Sequence, residues 1–254
     1  MPDFAPESVL LVGAVCAAIA GLALRRRLLD LSGTAAAVGV GLVIGLFGHP
    51  AWLFVLLLYM VSSFAATKYR FARKLEMGVA EGRRGERSWR NVAANGAVPA
   101  AVAAVAGLYP EALPPGISGL VFLTAIAVAA ADTMASEIGV LSKNAVLITH
   151  PHRHVEAGTN GGVSRLGHGA AAFAGVYVAV TGYILFGLFA PATIHAAPLF
   201  AAVPALLGFV GCQVDSLMGA TLEMGGRMTK GWVNFLSIAA STALAWGVLL
   251  LLPP

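Results

Sequence analysis

Long apolar runs, broken by short polar intervals, fill this chain almost from end to end. Eight of them are predicted as helices: 9–24, 33–48, 51–67, 92–108, 117–141, 166–190, 199–222 and 232–252. A soluble core has no room for so many uninterrupted apolar stretches, whereas a bilayer asks for about 20 apolar residues per helical crossing. The pattern therefore predicts an all-α fold, a polytopic integral membrane bundle of about eight transmembrane helices. The first four runs are short for a crossing and are expected to stand nearly upright or to enter as re-entrant pairs. No low-complexity linker interrupts the pattern, so 1–254 reads as a single integral membrane domain. Composition agrees: only 11% of residues are charged, against about 25% in globular domains.

Charge sorts the connections into two sides. All 16 Lys and Arg fall within 25–27, 68–90, 143–165 and 227–230, and the intervening connections "GHP", "YPEALPPG" and "PATIHAAP" carry none. With eight crossings the four basic places share one side, which the positive-inside rule assigns to the cytoplasm. Both termini are then expected outside, in the plasma membrane. The start, "MPDFAPES", carries Asp3 and Glu7 in place of a signal peptide's basic region, so the first run is expected to stay as an anchor. The net charge of +4 describes a basic membrane face, not a nucleic-acid binder. The loop "KYRFARKLEMGVAEGRRGERSWRN" holds eight of the 16 basic residues. It reads either as an ordinary positive-inside loop or as a rim that attracts anionic head groups or a nucleotide. Homo-oligomerisation is left open.

Three acids interrupt the apolar pattern. Asp132 lies near mid-bilayer in its run, Glu137 five residues later, and Asp215 about two turns from the end of its own run. An ionised carboxylate facing hydrocarbon costs at least ~2.5 kcal/mol, so such groups point inward, pair, or bind cations. Asp132 and Ser136 share one helical face, and Thr133 and Glu137 form an adjacent stripe. "ADTMASEIG" is faintly echoed by "QVDSLMGATLE", so two helices are expected to bring similar parts to one site. A structural polar cluster, a proton or cation pathway, and a divalent-metal site serving a phosphate substrate all fit these acids. For the last, carboxylates and hydroxyls make an oxygen-rich shell suited to Mg²⁺. Gly41 and Gly45 have helix-packing spacing. Met60, Met134 and Met218 read as core or lipid contacts. Cys16 and Cys212 sit in apolar segments, which points to neither a disulfide nor a metal.

"EAGTNGGVSRLG" is the other anomaly. Its glycines permit close backbone approach, and its position just before a helix aims free N–H groups at one place. It lacks the Lys-Ser/Thr of a P-loop and is no dinucleotide fingerprint. A flexible turn with Ser164 as helix cap and a phosphate cradle assisted by Arg165 are both open. "THPHRHV" places His150, His152 and His154 at alternate positions, but no Cys or acid completes a zinc tetrad, so a solvated loop is expected.

Taken together, "ADTMASEIGVLSK", "VEAGTNGGVSRLG", "GCQVDSLMGATLE" and the earlier "RRGERSWRNVAANG" resemble, in order, the blocks of domain-of-unknown-function family 92. That family includes transmembrane protein 19 and the plastid phytyl-phosphate kinase of vitamin E synthesis. The Asp-Thr helix followed by a Lys and a Gly-rich loop is more distantly similar to CTP-dependent polyprenol kinases and phosphatidate cytidylyltransferases. The resemblance implies a CTP-dependent kinase that converts an isoprenoid monophosphate to the diphosphate at the cytoplasmic membrane face. Asp132, Asp215 and Lys143 would carry catalysis, and Asp132, Glu137 and Asp215 would hold Mg²⁺. Asn95, Ser136, Gly158, Thr159, Asn160, Gly161, Gly162, Ser164, Arg165 and Ser216 would bind nucleotide and phosphate. Thr133 and Thr221 also match the pattern. Met134 and Cys212 depart from it and read as structural, and the three histidines have no counterpart. The implied partners are an isoprenoid or other lipid phosphate, a nucleoside triphosphate and the bilayer. A lipid-phosphate cytidylyltransferase, a cation- or proton-coupled transporter and a non-catalytic scaffold are the alternatives.

Overall fold

The structure is a computed structural model and describes residues 4–81, 85–194 and 198–251. Asp3, Arg83, Arg84, the 195–197 part of "PATIHAAP" and the last residue of run 232–252 lie outside the described residues.

All eight apolar runs are helices: α1 (Pro6–Arg25), α2 (Leu31–Val43), α3 (Pro50–Lys68), α5 (Trp89–Leu108), α6 (Pro115–Gly139), α7 (Arg165–Phe189), α8 (Ala202–Met218) and α9 (Lys230–Leu251). A short helix, α4 (Phe71–Glu76), lies between α3 and α5. Proline opens α1, α3 and α6, where its missing N–H costs nothing. Asp30 caps α2 by accepting the Gly33 N–H at 2.7 Å, and His49 Nδ1 caps α3 by accepting from Ala51 at 3.1 Å. π-helical turns extend α2 over Ile44–Gly48 and α8 over Gly219–Glu223. With these extensions the first four spans run 18 to 20 residues, each long and apolar enough to cross a membrane.

Helix α6 is the axis of the bundle and packs against α3, α5, α7, α8 and α9. Every residue from 120 to 131 is fully buried. Alanine and glycine make this possible by letting backbones approach: a Cβ on Gly208 of α8 would sit 2.8 Å from the Ala127 Cβ. Gly45 has the packing role its spacing predicts, since a Cβ there would meet Val12 at 2.7 Å and Leu53 at 2.9 Å. Trp52, Phe122 and Phe186 stack at the end of the bundle away from the basic connections, with the Trp52 and Phe122 ring centroids 4.5 Å apart. The outer surface is apolar, with Leu10, Val61, Phe173, Ile184 and Leu206 among its exposed side chains. That is the surface a bilayer covers.

At the basic end the α6–α7 connection folds into an antiparallel sheet in the order β2–β1–β3, from β1 (Ala145–Leu147), β2 (His150–Val155) and β3 (Gly162–Val163). This corrects one expectation: the histidine segment is a strand, not a loop, with His150 and His154 paired to Leu147 and Val146. All three histidines are exposed.

The basic segment after α3 is also less open than its charge implies. Lys74 on α4 is fully buried, and Arg87 is pinned to the α1–α2 turn by backbone hydrogen bonds, Asp30 N–H to Arg87 C=O and Arg87 N–H to Leu28 C=O, both 3.1 Å. Gly33 lies against the Arg87 carbonyl, where a Cβ would overlap it.

Candidate functional site

The three acids of the spans end up in two different environments. Glu137 is buried in a closed ion-pair network. Its Oε2 lies 2.7 Å from Lys74 Nζ, and its Oε1 accepts from Thr67 Oγ1 at 2.7 Å. Lys74 spends its other hydrogens on the carbonyls of Ala66 and Thr67. Arg87 Nη2 stands 3.9 Å from Oε1, so Glu137, although it borders the polar cleft at the basic end, has both oxygens committed and its charge balanced, which sets it apart from the metal-ligand role expected of it.

Asp132 and Asp215 instead meet at the bottom of a cleft of about 270 Å³ at the basic end. Helix α9 presents Asn234 and Ser237 one turn apart. Asn234 Nδ2 donates to Asp132 Oδ2 and Ser237 Oγ to Asp215 Oδ2, each at 3.0 Å. Both carboxyl groups line the same lobe. Neither forms an ion pair with Lys or Arg among the described residues, although Lys230, at the first turn of α9, lines the same lobe.

Two adjacent carboxylates lacking a cationic partner fit a hard divalent ion such as Mg²⁺ by donor chemistry. Among the described residues no three His, Cys, Asp or Glu converge as a complete metal cage. Further ligands would come from substrate oxygens or water, as is usual for Mg²⁺.

The opposite wall is the Gly-rich segment. Gly158 (φ +85°) and Gly161 (φ +71°) take left-handed conformations. A Cβ on Gly161 would lie 2.6 Å from the Ala220 nitrogen, so the turn seats directly on the π-helical turn that ends α8. The loop's hydroxyls are used internally. Thr159 Oγ1 donates to the Glu156 carbonyl at 2.8 Å, and Ser164 Oγ accepts the Gly167 N–H at 3.1 Å, capping α7. Asn160 and Gly161 line the cleft, and their N–H groups make no hydrogen bond among the described residues. Backbone donors beside the start of a 25-residue helix form an anion-attracting corner.

The cleft has a second lobe of about 170 Å³, bounded by Arg87, Arg90, Asn91, Asn95 and Asn234. Glu81, Asp132, Ser136, Glu137 and Lys230 border both lobes.

Of the residues expected at the site, Asp132, Ser136, Glu137, Gly158, Thr159, Asn160, Gly161, Gly162, Ser164, Asp215 and Ser216 line the main lobe. Asn95 belongs to the second lobe, apart from the Gly-rich loop. Lys143 and Arg165 are exposed and line neither lobe, the first on the turn after α6 and the second at the start of α7. Thr221 is also exposed and bonds to the Leu217 carbonyl. The cation that does reach the acids is Lys230, which the sequence reading counts only among the charges that set topology. Asn234 and Ser237 are missed as well, though a polar pair one turn apart in an apolar span is a readable signal. Nothing in the sequence separates Lys74 and Arg87 from their solvated neighbours.

A bundle of eight span-length helices, with a polar cleft opening at its basic end, defines an integral membrane protein with an internal ligand-sized site. The chain belongs to the family described as "Integral membrane protein DUF92", whose profile matches residues 14–249. It is 30% identical to Protein PGR of Arabidopsis thaliana over 216 residues, covering 80% of this chain and 74% of that protein. It is 27% identical to an uncharacterized membrane protein of Methanocaldococcus jannaschii, covering 84% and 82% of the two chains. A third relative, an uncharacterized membrane protein of Synechocystis, is 30% identical over 95% of this chain and 90% of its own length. No solved structure matches the chain.

Proposed function

We propose that the protein is a nucleoside-triphosphate-dependent kinase, CTP being the expected donor, that phosphorylates an isoprenoid monophosphate to the diphosphate. The observation that carries this reading is the junction of two lobes at Asp132 and Lys230, with the Gly-rich turn on one side and Arg87, Asn91 and Asn95 on the other. The resemblance to the phytyl-phosphate kinase supplies the class of acceptor.

In the proposed reaction an oxygen of the acceptor monophosphate bonds to the γ-phosphorus of the nucleotide, and the bond from that phosphorus to the β–γ bridging oxygen breaks. The nucleoside diphosphate departs with the bonding electrons. A phosphate monoester has its second ionisation near pH ~6, so the attacking oxygen needs no strong general base. Positioning and charge stabilisation are what such a transfer asks of the protein. The free N–H groups of Asn160 and Gly161 hold the donor phosphates. Lys230 balances charge on the transferred group, and Arg87 receives the acceptor. Mg²⁺, held by Asp132 and Asp215, would neutralise the nucleotide's charge when bound. Glu81, Glu156 and Glu223 also line the main lobe, so a nucleotide without a cation would be repelled there. The positive-inside rule puts this end of the bundle in the cytoplasm.

The test is purified protein with CTP, Mg²⁺ and geranylgeranyl or phytyl monophosphate. Prenyl diphosphate and CDP are the expected products. Pyrophosphate release would establish a cytidylyltransferase instead, and no product from any prenyl phosphate and nucleotide pair would overturn the enzymatic reading.

A further inference from the structure

An apolar groove of about 90 Å³ runs between α1, α2, α3 and α5. On α3 it extends from Leu53 to Phe64, about 16 Å along the helix axis. Its walls are mainly apolar, with Thr34 and Tyr59 among them, and at one end it meets Arg87, Asn91 and Asn95. Those same three residues line the second lobe of the polar cleft. The apolar groove thus adjoins the second lobe, which Asp132 and Lys230 border.

The polar end carries an unsatisfied donor. Arg87 Nε is buried without a hydrogen-bond partner. A buried polar atom without a partner is costly, and such exceptions mark places where a ligand completes the set. Arg87 is held in place: its backbone is pinned to the α1–α2 turn, its Nη2 donates to Thr67 at 3.1 Å and stands 3.9 Å from Glu137 Oε1, and its guanidinium lies over the Phe64 ring at 5.5 Å, which leaves Nε free to donate.

We infer that this groove is the tail site of a single-chain lipid monophosphate, whose phosphate is received by Arg87. This rests on the kinase reading only for the fate of that phosphate. The narrow groove takes one acyl-like or prenyl chain, and the guanidinium at its mouth complements a phosphate dianion. Donor and acceptor then occupy separate lobes, with the tail never crossing the nucleotide's lobe.

The experiment uses the intact protein in phosphatidylcholine nanodiscs with a geranylgeranyl monophosphate analogue carrying a diazirine at the tail end. Cross-linked peptides are mapped by mass spectrometry. Labels are expected on groove residues such as Ile19, Ala37 and Leu56, competed by unlabelled geranylgeranyl monophosphate and weakly by two-chain phosphatidate. Ala37→Trp, which overfills the groove, is expected to cut labelling by about tenfold or more while leaving the CTP-induced thermal shift intact. Labels on α7 or α8, or equal competition by phosphatidate, would overturn the assignment, and the wild-type map decides even if the variant does not fold. Groove labelling without phosphoryl transfer sinks the kinase reading and leaves the tail site standing. Transfer with labels elsewhere does the reverse.

Discussion

Lys74 Nζ lies 2.7 Å from Glu137 Oε2, so a six-residue helix in the basic connection is tied to the end of the central helix by a buried ion pair. Each charge is costly to bury alone, and together they fix where α4 sits beneath α6. Lys74→Met should leave the buried Glu137 with only the longer 3.9 Å ion pair to Arg87 and destabilise the protein by about 3 kcal/mol. The double variant with Glu137→Leu should recover much of that loss. Thermal unfolding in detergent, arranged as a double-mutant cycle, measures both.

Asp132→Asn and Asp215→Asn should fold normally and lose transfer activity by at least about 100-fold each. Their Mg²⁺ requirement should shift to higher concentration. Wild-type turnover from either variant would remove the acids from the reaction.

Asn234 and Ser237 act through the acids they hold. Asn234→Ala and Ser237→Ala should each lower metal affinity or turnover by roughly 10- to 100-fold. A titration of activity against Mg²⁺ separates this from a purely structural loss, which would lower the amount of active protein without moving the midpoint.

Lys230 and the pair Lys143 and Arg165 separate the folded site from its sequence-level outline. Lys143→Ala and Arg165→Ala should change kcat/KM by no more than about twofold, the usual range for exposed side chains away from a site. Lys230→Ala should cost about 100-fold. Steady-state kinetics on the three variants decide between the two assignments.

Asp30 gives a pH signature outside the site. The Ser32 hydroxyl and the Gly33 N–H hold its carboxyl below the usual carboxylate range. Its folded value is thus depressed relative to the unfolded chain. The stabilisation is full above the unfolded value, near pH ~4, and is lost as pH falls through the folded one. Asp30→Asn keeps a capping oxygen but no charge, so melting curves of the variant should show less acid destabilisation than wild type.

The sequence outlined the spans because burial in lipid requires long apolar runs, and that requirement is local. Pro6, Asp30, His49 and Ser164 punctuate the helices by equally local chemistry. The same logic exposed Asp132 and Asp215, since an acid in an apolar run has few stable fates. It was blind to which acid is balanced. Glu137 and Asp132 look alike in the chain, and the difference is a lysine 63 residues away on a helix that nothing apolar announced.

Charges in connections show the complementary failure. The sequence registers Lys74, Arg87, Lys143, Arg165 and Lys230 as one class, the basic side of a membrane protein. Folding sends Lys74 into the interior, Lys143 and Arg165 to the surface, and Arg87 and Lys230 to the two lobes of the cleft. Hydrophobic periodicity sets membrane crossings through a residue's own neighbours in the chain. A site depends on neighbours across space, and here that proximity comes from small residues along α6 letting α8 and α9 close on it. The sequence by itself determined the membrane bundle and the acids it must shelter. Only the tertiary structure decided which acids remained available for a cation, because charge balance is made between helices and not along them.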